Sequence, residues 1–340
     1  MAATAAKATV ESAVSALLTE FVLSQLPDAH EIQLDDLSRK TGGLSRENWF
    51  FTARWNDADG RHQVPLILQR DPDGGLLESD RLVEFGVLDA LTRTPVPTPV
   101  PYWVDAAGTW MGNPSIVVEQ KSGICDLFLL NGSRPMDERL GFGHAFLELL
   151  IQVQDVDWQS VGLGKFLTDP GPNAGLHELD RWEAELRANQ LEPTPELDLV
   201  LRWLREHAQP ARSTVLVHGD FKPGNALVEG NQISALLDWE TAHLGDPLED
   251  LGWITNPVRG REHQIVGQWE RREIVEKYSA ITGFSISEEG LLWWNVFSCW
   301  KLAIIVLTGL NVFVEGRFDR VHHSPTWLVR AMFRMMEEKQ

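Results

Sequence analysis

Between Val215 and Gly252 the chain gathers residues whose types and spacing suit one kind of chemistry: His218, Asp220, Asn225, Asp238 and Asp250. An apolar run ends at His218-Gly219-Asp220, and Asn225 follows five residues after Asp220. The run Ala226 to Val228, the turn Glu229-Gly230-Asn231 and the run Gln232 to Leu237 then predict a β-hairpin. A hairpin returns the chain to its start, so Asp238 is expected beside Asn225, with Asp220 close by. Two carboxylates and an amide oxygen at one end of a ribbon suit phosphoryl transfer, where catalysis is mostly positioning and charge neutralisation. Asn225 and Asp238 offer hard oxygens to a Mg2+ bridging ATP phosphates, and Asp220 can accept the proton of an attacking hydroxyl. Each piece alone is commonplace, because HGD is an ordinary turn and Asp238-Trp239-Glu240 could lie on a surface. Their order and spacing, followed by Gly245-Asp246-Pro247 and Asp250, set the conjunction apart.

The elements that must hold these groups come from a chain of 340 residues, 43% apolar and 23% charged, enough for a sizeable core without disulfides or disorder. The longest apolar run, Leu302 to Leu307, is too short to cross a bilayer, and a globular, soluble protein is expected. Lysine and arginine total 30 against 49 aspartate and glutamate, a net charge of −19, which disfavours nucleic acid or an anionic membrane as partner. Two cysteines, Cys125 and Cys299, without CxxC or a histidine cluster at metal-ligand spacing, fit a reducing cytoplasm. The Ala-rich start lacks a sustained apolar stretch, so no signal peptide is expected, and Val10 to Val22 follow helical spacing.

Pattern divides the chain. The first 120 residues read as short strands, Trp49 to Trp55, Val64 to Gln69 and Ser115 to Glu119, around one helix, Leu77 to Leu91. From about residue 125 the spacing is helical, over Leu140 to Val153, Leu176 to Ala188, Leu197 to His207, Arg271 to Thr282 and Glu288 to Leu310. The fold class is therefore α+β, a small mixed lobe followed by a mainly helical one. Pro95, Pro97, Pro99 and Pro101 mark an extended, rigid connector. Trp293, Trp294, Phe297 and Trp300 belong to a helix apolar nearly all round, expected in the core, with a pocket wall as the second reading.

The stretch as a whole resembles the aminoglycoside phosphotransferase family, small-molecule kinases with a protein-kinase-like fold. The family's HGDxxxxN motif stands as His218 to Asn225, its metal-binding motif as Asp238-Trp239-Glu240 and its GDPxxD as Gly245 to Asp250. The resemblance implies that Asp220 is the catalytic base, Asn225 and Asp238 hold Mg2+, Asp250 braces the catalytic loop and His218 orients it. Gly42 to Asn48, including Ser45 and Arg46, is similar to the family's phosphate-covering loop, in the subgroup resembling kinase-like domains fused to acyl-CoA dehydrogenases. Val117 to Gly123 looks like the hinge, where backbone groups of Glu119 and Lys121 would meet adenine. The implied organisation is a nucleotide-binding lobe over 1–118, a hinge at 119–124 and a catalytic and acceptor-binding lobe over 125–340.

Glu84 adds a physical argument. On its predicted helix it shares a face with Leu77, Val87, Leu88 and Leu91, and a carboxylate on a buried stripe wants a cation. In kinase-like folds that cation is a strand lysine gripping the α and β phosphates. Here the strand reads Leu66-Ile67-Leu68-Gln69-Arg70, with Gln69 in the simplest register at the lysine position and Arg70 the expected substitute, pairing with Glu84. No long activation loop separates Glu240 from Asp246, which disfavours a protein kinase. The expectation is an ATP- and Mg2+-dependent kinase acting on a hydroxyl of a small molecule, either a hydroxyacyl thioester-like metabolite or a cationic aminoglycoside-like compound. The alternative, raised by the missing lysine, is a nucleotide-binding pseudokinase without turnover. The acceptor is expected over the helical lobe, between the Asp220 loop and the Trp293 to Trp300 helix.

Overall fold

In the computed structural model, which describes residues 2–40, 46–72, 80–317 and 324–337, the chain divides into two units, Met1–Asp89 with Pro99–Lys121 and Ala90–Thr98 with Ser122–Gln340.

The first unit is a five-stranded antiparallel sheet with a helix, α1 (Ala2–Gln25), packed on one face. Its strands are β1 (His30–Lys40), β2 (Glu47–Asp57), β3 (Gly60–Arg70), β4 (Pro101–Asp105) and β5 (Ser115–Glu119), in the order β1-β2-β3-β5-β4. Alternation decides what meets α1. Trp49, Phe51, Ala53 and Trp55 on β2 and Leu66 and Leu68 on β3 are buried with Val14, Leu18, Phe21 and Val22 of the helix. Each such large apolar side chain contributes about 1.5–3 kcal/mol by leaving water. The register β2 to β3 pairs Trp49 with Leu68, Glu47 with Arg70 and Asn48 with Gln69. Gln69 and Arg70 therefore belong to opposite faces.

Two strands and a helix start differ from the sequence reading. In β1 the pairing shifts between His30 and Gln33 and between Asp35 and Ser38, and Glu31 and Asp36 take positive φ. Those bulges break the period of two that would have marked the strand. The strand β4 begins inside the proline segment, at Pro101. The helix expected from Leu77, α2 (Arg81–Leu91), starts four residues later, because the Asp80 side chain accepts from the backbone N–H of Leu82 and Val83 at 2.9 and 3.2 Å. Leu77 lies outside the described residues.

The second unit is built around one long helix, α9 (Glu288–Val314), buried along much of its length. Against it pack α4 (Ala174–Asn189), α5 (Pro195–His207), α6 (Leu248–Ile254) and α10 (Thr326–Glu337), and the unit also holds α3 (Met136–Gln154), α7 (Gly260–His263) and α8 (Arg271–Thr282). Length and composition alone would let α9 cross a membrane. It is instead a core helix, because Asn295, Ser298, Lys301 and Thr308 are buried on it and bond to groups of the same unit. Trp293, Phe297 and Trp300 are core residues too. The Trp293 and Trp300 indoles donate to the carbonyls of Leu204 and Leu197, and the Trp293 and Phe297 rings stack at 5.5 Å. Two short ribbons complete the unit, β6 (Val215–Val217) with β9 (His243–Gly245) and the hairpin β7 (Ala226–Glu229) with β8 (Gln232–Leu236).

Candidate active site

Strand β6 delivers the chain to His218, which is fully buried. From there a network of backbone bonds fixes the loop. Asp250, on the first turn of α6, accepts from His218 N–H through Oδ2 at 2.7 Å and from Gly219 N–H through Oδ1 at 3.0 Å. Burial outweighs those two bonds and raises the Asp250 carboxyl above its ordinary value. Gly219 sits at φ +81, and a Cβ there would lie 2.8 Å from the Thr241 carbonyl, so only glycine fits. The His218 ring accepts from the Asp220 N–H at Nδ1, 3.2 Å, and so carries its proton on Nε2, which donates to the Leu237 carbonyl at 2.9 Å. One imidazole thus joins the loop to the end of the hairpin.

The hairpin closes the site. Its turn uses Gly230 at φ +61, its register pairs Ala226 with Leu236, and Leu237 N–H donates to the Asn225 carbonyl at 2.7 Å. Asn225 turns its Nδ2 to the Asp220 carbonyl and to Asp220 Oδ2, both at 3.0 Å, which leaves Oδ1 as the oxygen available to a cation. Asp238 follows Leu237 in a left-handed conformation, φ 66 and ψ 58. Burial pushes the Asp220 carboxyl up, but Lys222, which is paired with it, and Arg259 outweigh burial and hold it below its ordinary value. Asp220 is therefore an ionised carboxylate, the form in which a general base must stand. A carboxylate, a side-chain amide oxygen and a second carboxylate are the hard donor set that suits Mg2+.

Lys301 was not anticipated. It is 2% exposed, lies between the Trp182 and Trp253 rings at 5.1 and 5.3 Å, and donates to the Gly219 carbonyl at 2.7 Å. The one charged residue between Leu291 and Leu310 was the available signal. Behind it lies a buried network. Glu249 approaches Lys301 at 3.7 Å and His243 at 2.9 Å, while Glu178 faces His243 at 3.7 Å and Arg181 at 3.1 Å. The ligand atoms of Glu178, His243 and Glu249 lie within 4.8 Å of one another, a spacing that alone would suit a metal. Arg181 and Lys301 already supply the cations, so the cluster is an ion-pair network. Burial works against the charged His243 ring, but Glu178 and Glu249 outweigh it and raise the histidine to about 9.

In the first unit the cation for Glu84 is Arg46, at 2.9 Å, with Arg81 on its other oxygen at 2.6 Å. Burial pushes Glu84 up, and the two guanidiniums bring it below its ordinary value. Gln69 joins this face, its Oε1 accepting from Arg46 at 3.4 Å. The expected pairing of Arg70 with Glu84 is corrected: Arg70 donates to Glu47 at 3.0 Å and to the Met111 carbonyl at 3.1 Å. Strand alternation is the reason, since Arg70 shares the Trp49 and Leu68 face and Glu84 meets the face of Gln69. Ser45 lies outside the described residues. In the segment expected to be the hinge, Glu119 N–H donates to the Val100 carbonyl at 2.8 Å, and Lys121 pairs with the Glu119 side chain at 2.8 Å.

Of the aromatic residues expected beside the acceptor, Phe297 and Trp300 are packed away in the core, and Trp293 and Trp294 border a partly open cavity of about 140 Å³. Exposed apolar side chains near the Asp220 loop include Ile124, Leu127 and Phe128; a Cβ on Gly224 would lie 3.2 Å from Leu127, and Arg261 covers the Phe128 ring at 5.2 Å.

Comparison with known proteins adds three findings. The sequence profile of the phosphotransferase enzyme family (APH) matches residues 36–284. Acyl-CoA dehydrogenase family member 11 of Rattus norvegicus is 28% identical over 269 residues, covering 74% of this chain and 34% of the relative, so the chain spans about a third of that protein's length. Two solved structures share the fold. A candidate aminoglycoside phosphotransferase from Ralstonia eutropha JMP134 gives a TM-score of 0.69 at 21% identity, over 94% of this chain and 96% of its own. A thermostable variant of aminoglycoside phosphotransferase APH(4)-Ia, in ternary complex with AMP-PNP and hygromycin B, gives 0.59 at 14% identity, over 94% and 98%.

Proposed function

Since the chain belongs to the phosphotransferase enzyme family, we propose that it transfers the terminal phosphoryl group of ATP, with Mg2+, to a hydroxyl of a small molecule. The observation that carries this reading is Asn225, which bonds to Asp220 on one side and, through the Leu237 N–H, to the strand end that bears Asp238 on the other. Asp220 then takes the acceptor's proton. Asn225 Oδ1 and Asp238 would hold Mg2+, which when bound would neutralise phosphate charge. Asp250, His218 and Lys301 position the loop through its backbone. The AMP-PNP in the APH(4)-Ia complex supports nucleotide use. Arg46 on Glu84 supplies the cation that Gln69 cannot, which weighs against the pseudokinase reading.

For the acceptor, a hydroxyacyl thioester-like compound is favoured over an aminoglycoside-like polycation. The relative's name points to acyl-CoA chemistry. The apolar Ile124, Leu127 and Phe128 stand beside the loop, and the charges that bear most on Asp220 are the cations Lys222 and Arg259. The hygromycin B complex is the reason to keep aminoglycosides in the screen.

Asp220→Asn is the direct test. Removing a general base costs about 10²- to 10⁴-fold in rate, so ATP consumption over a panel of hydroxyacyl compounds and aminoglycosides should collapse while ATP affinity is kept. Turnover within a few-fold of wild type would refute the assignment.

A further inference from the structure

The cavity bordered by Trp293 and Trp294 is lined by none of Asp220, Asn225 and Asp238, although Asp246 and Pro247 of its wall belong to the Gly245 to Asp250 motif. Its other walls include Pro247 and Leu248 at the start of α6, Tyr278 of α8 and Phe284 just beyond it. At about 140 Å³ it approaches the roughly 150 Å³ of an apolar protein cavity that holds benzene. Unlike such a cavity, it contains a charge. Asp246, 7% exposed, lines it.

The Asp246 carboxylate has hydrogen bonds but no ion pair among the described residues. Its Oδ1 accepts from Leu248 N–H at 2.7 Å, and the Trp294 side chain also donates to it. No neighbouring charge is in contact with it among the described residues. Arg212, an exposed residue that also lines the cavity, lowers the carboxyl through space without forming an ion pair with it, Glu249 adds a second negative charge and is committed to His243, and the Tyr278 hydroxyl donates to Gln154 at 2.6 Å. Burial leads in raising its carboxyl, to about 6, against the opposing pull of Arg212, so at neutral pH it is ionised without a cation in contact. Buried carboxylates are ordinarily paired. Two indole rings meeting edge to face at 4.7 Å stand beside it, and aromatic faces next to a carboxylate are the surroundings that bind organic cations.

We propose that this cavity binds a small organic ammonium, its charge on Asp246 and its alkyl body against Trp293 and Trp294. The proposal is independent of the phosphotransferase reading. The site is nonetheless tied to the catalytic loop, because Asp246 precedes the helix whose Asp250 holds the His218 and Gly219 amides.

The test is binding, measured without ATP on the full chain. n-Butylammonium chloride is titrated by calorimetry and thermal shift, against 1-butanol and against sodium chloride at matched ionic strength. Saturable binding of the ammonium with a rise in melting temperature, and none with 1-butanol, is expected. Asp246→Asn should weaken it at least ten-fold. Should that variant not fold, the wild type answers alone: with the carboxyl at about 6, affinity should fall about ten-fold from pH 7 to pH 5. No saturable binding at tens of millimolar, equal stabilisation by 1-butanol, or affinity indifferent to both Asp246→Asn and pH would overturn the proposal. Ammonium binding in a chain that consumes no ATP would leave the site standing and the kinase reading fallen.

Discussion

Arg46 and Arg70 illustrate how one position in a strand changes a residue's task. Arg46 is 5% exposed on its side chain and meets a Glu84 that is 3% exposed, whereas Arg70 braces Glu47 on the α1 face. Removing one member of a buried pair leaves the other charge uncompensated, a loss of about 3–5 kcal/mol where no second cation exists. Arg81 remains on Glu84, so Arg46→Ala should cost less than that range. It should also weaken ATP affinity at least ten-fold, with Arg70→Ala within three-fold of wild type by titration calorimetry. The reverse order would return the phosphate-gripping task to Arg70.

At the level of elements, what the sequence revealed follows from what local pattern can encode. The hairpin announced itself by a turn between two apolar runs, and Asn225 and Asp238 followed from it by geometry alone. The bulged β1 did not, because its irregular pairing erased the alternation. Nor could the strand Leu66 to Arg70 say which face met α2, a matter settled by its partners in the sheet. Lys301 escaped for a related reason: a lone cation on a helix discloses nothing of the carbonyl it meets 82 residues away. Its removal should be felt in the loop. Lys301→Met is expected to lower kcat at least ten-fold while the KM for ATP moves less than two-fold. Hydrogen exchange should rise in the peptide containing Gly219; unchanged exchange there would show that α9 does not hold the loop.

For the molecule as a whole, the buried network sets a pH dependence. His243 is raised from its ordinary value to about 9 by Glu178 and Glu249, so the folded state holds that proton more tightly than the unfolded chain. Its contribution is fully present below about pH 6.5, the unfolded value, and is lost as pH rises through about 9. Melting temperature should therefore fall between pH 7 and pH 9.5, and His243→Gln should flatten that fall. An equally steep decline in the variant would assign the dependence elsewhere.

The position of Lys301 on α9 has one more consequence, for the making of the chain. It stands at the midpoint of a 27-residue helix that is long and apolar enough to cross a membrane by length and mean hydropathy. A lysine at the centre of such a segment opposes insertion by about 2.5–3.5 kcal/mol, and a leucine there would favour it slightly. The residue that steadies the Gly219 carbonyl in the folded protein is therefore expected to hold the isolated segment out of a bilayer. Placed in a reporter protein and translated with microsomes, the segment Glu288–Val314 should remain mostly outside the bilayer, and its Lys301→Leu version should insert in the majority of molecules. Equal insertion of the two would deny the lysine this second role and leave protection to the speed with which α9 is packed.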